Sequence, residues 1–330
     1  MNEIPMETSR TAHPLVAWLK PRFRETTLVL LCVAEIVVFG LMESSFLRPS
    51  NLLDATRYMT EAGLLAFGMS LVIRTGGIDL SVGSTLALVS VCIGLFVRAD
   101  MSVASAIVLG LAIGALCGAF NGVLVAHLGL VPLIVTVGTM ALFRGIAYAI
   151  TGANSYSGFP LSFEELSSAK IGLLPIQFFF FAFIATLVWF AMHRSRFGRY
   201  VSGIGYSIEA SRYSGVRVRM VVVSVYLLSG VCAAMAAVLY TSRVFSARAD
   251  AALGIEMSAI TAVVLGGASI TGGRGSVSGT LIAVVLLTYL QNGLIISGIP
   301  GEVQGVVIGA ALLLGVLFNT FMERRRITSR

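Results

Sequence analysis

Charge is what this 330-residue sequence has least of: Asp, Glu, Lys and Arg make up 12% of it. A soluble domain carries about 25%, so most of this chain cannot present a surface to water. With 57% hydrophobic residues and a mean hydropathy of +0.92, its solvent is a bilayer. Lysine is scarcer still. Only Lys20 and Lys170 occur, and neither follows a glycine. That excludes the phosphate-cradling loop G-x-x-x-x-G-K-[ST], and with it nucleotide binding by that route. The four cysteines, Cys32, Cys92, Cys117 and Cys232, sit in apolar segments without metal-ligand spacing, which fits packing residues. The three histidines, His13, His127 and His193, lie at or near the ends of apolar runs. No nucleophile–base arrangement or metal cluster emerges, so a membrane enzyme is disfavoured and no catalytic or metal-binding residue is expected. A secretory signal is also missing: residues 1–25 are polar, and the run Thr26 to Met42 ends in ESS without a small-residue cleavage pattern.

Apolar runs, by contrast, are abundant. A helix crosses the hydrocarbon with about 20 mostly apolar residues. Candidate spans are 26–42, 58–75, 82–97, 102–127, 132–150, 175–192, 221–241, 258–270, 276–297 and 303–321, ten in all. The expected class is therefore an all-α integral membrane protein. The basic residues test the count, because Lys and Arg concentrate in cytoplasmic loops. Arg10, Lys20, Arg22 and Arg24 precede the first span. Arg194, Arg196, Arg199, Arg212, Arg217 and Arg219 fill 193–220, and Arg324, Arg325, Arg326 and Arg330 follow the last span. The long loop 151–174 holds only Lys170. An even number of spans keeps both basic ends in the cytoplasm: a tail over 1–25, a membrane domain over 26–321 and a basic tail over 322–330.

Between the second and third spans stands IRTGGIDLSVGS, an acid and a tight turn between two apolar stretches. Gly76 and Gly77 suit a sharp reversal, since glycine takes positive φ without a Cβ clash. Asp79 or Ser81 is expected to accept hydrogen bonds from the free N–H groups at the start of the following helix. An ionised Asp at mid-membrane costs about 2.5–3.5 kcal/mol, so Asp79 belongs at the boundary or in a protein-lined cavity. The pattern recurs: GGIDLSVGSTLALV at 76–89 is echoed by GGRGSVSGTLIAVV at 272–285. The stretch 264–276, with Gly266, Gly267, Gly272, Gly273 and Gly275, is expected to be an interrupted helix, as in transporters built from repeats. A weaker echo pairs Asn121-Gly122 with Asn292-Gly293. These glycines, Asp79, Ser81, Asn121 and Asn292 are candidates for a hinge or a pathway lining.

Ion-coupled carriers use acids buried in spans; the candidates are Glu35 and Glu61, with Arg144 as a possible partner. In the loop 193–220, Ser207 can cap a short helix, with Glu209 near its positive end, Arg212 near its negative end and Gly215 as its stop. Such a helix is too short to be stable alone and needs a surface to dock on. A solvated positive-inside loop explains the six arginines equally well.

Three stretches together, GGIDLSVGS, GRYVSGIGYSIEASRYSGVRV, and AITAVVLGGASITGGRGSVSGT followed by YLQNGL, resemble the permease subunits of bacterial ABC importers of the ribose and monosaccharide class. The resemblance covers roughly 26–320. It implies a ten-helix inner-membrane permease paired with a like or unlike second permease. It also implies a periplasmic binding protein and a cytoplasmic ATPase that binds ATP and magnesium. Residues 205–217 would form the coupling helix against that ATPase, which carries over to Gly205, Glu209, Ala210, Ser214 and Gly215. Ser207 stands where the family usually has Asn. The stretches GFPLSF at 158–163 and 246–276 look closest to permeases for rhamnose-like deoxysugars or for the furanosyl signal of quorum sensing. Arg243, Arg248, Asp250 and Glu256, in an expected outer loop, are candidates for docking the binding protein. The rivals are an ion-coupled sugar carrier, which would depend on Glu35, and a channel or scaffold, which would need no coupling helix.

Overall fold

The computed structural model describes residues 23–152 and 154–328, with side chains over 24–317 apart from residue 153. Arg10, Lys20, Arg22 and Arg330 lie outside the described residues. The chain is helical apart from four two-residue strands. Its long helices are α1 (Phe23–Met42), α2 (Pro49–Arg74), α3 (Val82–Arg98), α4 (Val103–Ala126) and α5 (Pro132–Thr151). Strand β1 (Ser155–Tyr156), α6 (Leu161–Ser168), β2 (Lys170–Ile171) and β3 (Leu174–Pro175) fill the loop before α7 (Ile176–His193). Then come α8 (Arg196–Tyr206), α9 (Ile208–Tyr213), α10 (Val218–Val244), β4 (Ala247–Arg248), α11 (Ile255–Leu265), α12 (Val277–Ile296) and α13 (Gly301–Thr328). Each of the ten expected spans overlaps one of these helices. Among the described residues, six (in α1, α4, α5, α7, α10 and α12) are long and apolar enough to cross a membrane by length and composition.

The others depart from that standard for identifiable reasons. Helix α2 starts nine residues before its expected span and carries Asp54, Arg57, Glu61 and Arg74. It tolerates them because nearly every residue from Met59 to Arg74 is buried, packed among α7, α10, α11 and α12; a helix covered all round is an interior helix. Helix α11 has 11 residues and stops at Gly266. The second core helix is α10, whose partner α4 presents Gly114, Gly118 and Gly122 on one face. A Cβ at Gly114 or Gly118 would strike the Gly230 or Tyr226 carbonyl, and one at Gly122 would strike Val223 backbone. Small residues at this spacing let two backbones approach without lipid between them. Strands β1 and β4 pair antiparallel, Ser155 opposite Arg248, and tie the loop after α5 to the loop after α10. In the loop 193–220 the structure holds one helix more than the sequence suggested: α8 buries Gly198, Val201 and Ile204 and turns its arginines outward.

Candidate functional site

The two glycine loops, separated by almost two hundred residues, meet. The first follows α2 over 75–81 and the second joins α11 to α12 over 266–276. The Gly273 amide donates to the Arg74 carbonyl at 2.9 Å, and the Arg74 guanidinium donates back to the Gly275 carbonyl. A Cβ at Gly272 would lie about 3 Å from the backbone of Gly76 and of Gly205. Gly205, near the end of α8, is the third party: a Cβ there would collide with the Arg74 carbonyl and the Gly273 amide. Tyr206 continues the contact, its ring against Gly273 and its hydroxyl 3.3 Å from Arg274 Nε. On the far side of the second loop, Arg24 at the start of α1 donates to the Gly267 carbonyl at 2.9 Å. Gly266 presses on the first turn of α12, where a Cβ would meet the Thr280 amide. The glycines at 76, 205, 272, 273 and 275 therefore meet in one junction, with Gly266 and Gly267 packing the second loop onto α12 and Arg24.

Asp79 lies just inside that junction and is 2% exposed. One carboxylate oxygen accepts from the Ser81 amide at 3.1 Å and the Ser81 hydroxyl at 2.6 Å; the other accepts from Ser229 of α10 at 2.9 Å. Asn121 of α4 donates to the Ser81 hydroxyl at 2.8 Å, and Thr136 of α5 donates to the Ile78 carbonyl at 2.9 Å. The sequence suggested that Asp79 or Ser81 caps the third span. Here neither side chain bonds the first-turn amides of α3; Asp79 closes a local turn onto Ser81 and ties the loop to α4 and α10. A buried acid is tolerable because three donors surround it. Gly77 completes the packing, its Cα facing the Tyr226 hydroxyl.

The exposed partner of this junction is α9. The Ser207 hydroxyl accepts from the Ala210 amide at 3.1 Å, Glu209 lies in the first turn, Arg212 in the last, and Gly215 follows at φ +78°. That is an N-capped turn of helix with a glycine stop and charges matched to its dipole. Only Ser211 is buried; Ile208, Glu209, Ala210, Arg212, Tyr213 and Ser214 face outward, with Tyr213 92% exposed. Beside it, His127, Arg212, Arg217, Val218, Arg219 and Met220 line a cavity of about 530 Å³.

Comparison with known proteins places this geometry. Residues 51–316 match the family described as branched-chain amino acid transport system / permease component. The chain belongs to this family of permeases. Two relatives from Yersinia pseudotuberculosis are similar over nearly the whole chain. The autoinducer 2 import system permease protein LsrD of serotype O:1b is 40% identical over 309 residues, 92% of this chain and 93% of that protein. Its counterpart in serotype O:3 is 39% identical over the same shares. LsrD of Yersinia pestis strain Pestoides F is likewise 39% identical. No solved structure matches. The chain is thus the transport subunit of an ABC importer, a multi-pass membrane protein.

At the opposite end, the permease corrects several expectations. Glu61 pairs with Arg243 of α10, not Arg144: Nε to Oε1 is 2.7 Å and Nη2 to Oε2 2.9 Å, with Arg243 also over the Tyr58 ring. Arg144 instead donates to the Ala249 and Ala251 carbonyls, both at 2.6 Å. Arg243 is therefore committed to a buried acid, and Glu256 turns toward Gly83 with Oε2 buried and unpartnered. Of the four docking candidates, Arg248 and Asp250 are at the surface, joined at 2.6 Å, and the guanidinium holds the Asp250 carboxyl below its usual range. Asn292 exchanges two hydrogen bonds with Asn51 at the start of α2, near this end. Asn121, by contrast, lies in the Asp79 network, so the two asparagines have different partners. Among the described residues, Glu35 Oε1 is buried without a hydrogen-bond partner. Arg74, Ser229, Thr136 and Tyr226 were not singled out from sequence; each is a lone polar residue in or beside an apolar run, and only its distant partner marks it.

Proposed function

We propose that this permease carries a small polyhydroxylated solute of the autoinducer 2 type, with a separate ATPase docking on α9. Nearly full-length likeness to autoinducer 2 import permeases supports the solute class over the amino acids named in the family description. The single observation that carries the coupling reading is the pinning of Gly205 against both glycine loops, directly beside an exposed, capped helix. A push on α9 has a route into the bundle through Gly205 toward Asp79 and the bases of α3 and α12, beside the direct contact of α9 with α10. In this reading the ten helices that overlap the expected spans build the membrane domain, α11 reaching only part of the way across, both basic ends are cytoplasmic, ATP and magnesium are held by the ATPase, and the solute arrives on a periplasmic binding protein that meets Arg248 and Asp250. A second permease completes the pathway. An unpaired buried polar group costs about 1–3 kcal/mol, so a solute shedding water needs hydroxyl and amide partners; Ser81, Ser229 and Asn121 are polar groups of that kind within the bundle.

The test is uptake by vesicles holding the complete importer, with autoinducer 2 and ribose offered separately. Uptake should require ATP, favour autoinducer 2, and disappear with Glu209→Arg together with binding of the ATPase. Uptake that ignores ATP and collapses with the proton gradient would overturn the reading.

A further inference from the structure

We propose that Arg74 is the positioning residue through which movement of α9 reaches both glycine loops at once. The inference rests on the coupling reading above and names the part that transmits it. Arg74 ends α2, is 5% exposed, and among the described residues has no carboxylate within ion-pairing distance. A buried guanidinium without a counterion is expensive. Its charge lies at the negative end of α2. Its Nη2 donates to Gly275, its own carbonyl accepts from Gly273, and that same carbonyl is the surface against which Gly205 rests. One residue thus touches the end of α8, the second glycine loop through two separate bonds, and the first glycine loop through the chain itself.

The backbone carbonyl of Arg74 makes the contacts to Gly205 and Gly273, and its side chain adds the bond to Gly275. A displacement of Gly205 that moved Arg74 would shift the 75–81 loop, in which Asp79 lies three residues after Gly76, and the 272–275 loop in the same stroke. Helices α3 and α12 start from those loops, so both would be turned from one contact. A purely structural role, anchoring the end of α2, predicts loss of assembly instead.

The experiment measures ATP hydrolysis and autoinducer 2 uptake by the complete importer in proteoliposomes, reported as solute moved per ATP hydrolysed. Arg74→Met should let the complex assemble and hydrolyse ATP while lowering that ratio about tenfold, the size of change that substitutions between coupled sites produce. Arg74→Lys, which keeps the charge without the planar fork, should fall between. Gly275→Ala places a Cβ 2.6 Å from Arg74 Nε and should lower the ratio by itself, with no further fall when combined with Arg74→Met, since the two act through one contact. An unchanged ratio in Arg74→Met, or losses that add, would overturn the proposal. If Arg74→Met does not assemble, Gly275→Ala decides: an unchanged ratio there overturns it. Absence of ATP-driven uptake in the unaltered importer would instead remove the function proposed above.

Discussion

A single methyl group is enough to probe the junction. At Gly205 it would be driven into the Arg74 carbonyl and the Gly273 amide, neither of which can swing aside as a side-chain tip could. Gly205→Ala should cut uptake about tenfold, a loss of about 1.4 kcal/mol in coupling, while membrane insertion, read by protease protection, stays normal. At the other end the residue that matters is Arg243. Its partner Glu61 has a side chain 4% exposed, and removing one member of a buried pair costs about 3–5 kcal/mol because the other charge is stranded. Arg243→Met should lower the thermal unfolding midpoint of the purified chain markedly, and Glu61→Gln added to it should restore part of the loss. Recovery of nothing would show that the pair is not the source.

Among the elements, α9 is where local sequence and local structure agree most closely. Ser207, Glu209, Arg212 and Gly215 were each assigned from their residue type, and the structure gives the cap, the charge placement and the left-handed stop. These are rules about a chain and its near neighbours, so they are legible without a fold. Ser207→Ala should cost about 1 kcal/mol of helix stability and weaken ATPase association about fivefold in a titration with purified ATPase. Helix α8 was missed because its pattern, arginines alternating with small residues, reads as loop until Met192 and α10 supply a surface. The meeting of the two glycine loops was also invisible. Their resemblance was on the page, but which side of which helix each one faces depends on the whole bundle. Asp79 shows the same limit: its cap was expected from neighbours, whereas its actual partner Ser229 lies 150 positions away.

At the scale of the molecule, one substitution tests the energy source. Glu35, with a buried oxygen lacking a partner, is the acid an ion-coupled carrier would use. If uptake is driven by the ATPase, Glu35→Gln should leave the rate within about twofold, a change under roughly 0.5 kcal/mol, and protonophores should not slow transport in ATP-loaded vesicles. Loss of uptake in that variant, with assembly intact, would return the case to proton coupling. Most of the span count was readable because hydropathy is a bulk property, and α2 was displaced by nine residues because an interior helix does not need to be apolar at its ends.

The shortness of α11 bears on how the chain is made. Its 11 residues reach about 16 Å at 1.5 Å per residue, roughly half of the 30 Å hydrocarbon layer. The backbone that follows it, over 266–276, is irregular, and irregular backbone cannot face lipid. Helices α2, α12 and α13 surround α11, and two of the three are synthesised after it. The segment from 255 to 276 therefore has no stable place in the membrane when it first leaves the ribosome. It must wait at the insertion machinery until α12 and α13 arrive, so truncation before residue 277 should yield a chain whose last segment is not integrated but cleared by proteolysis.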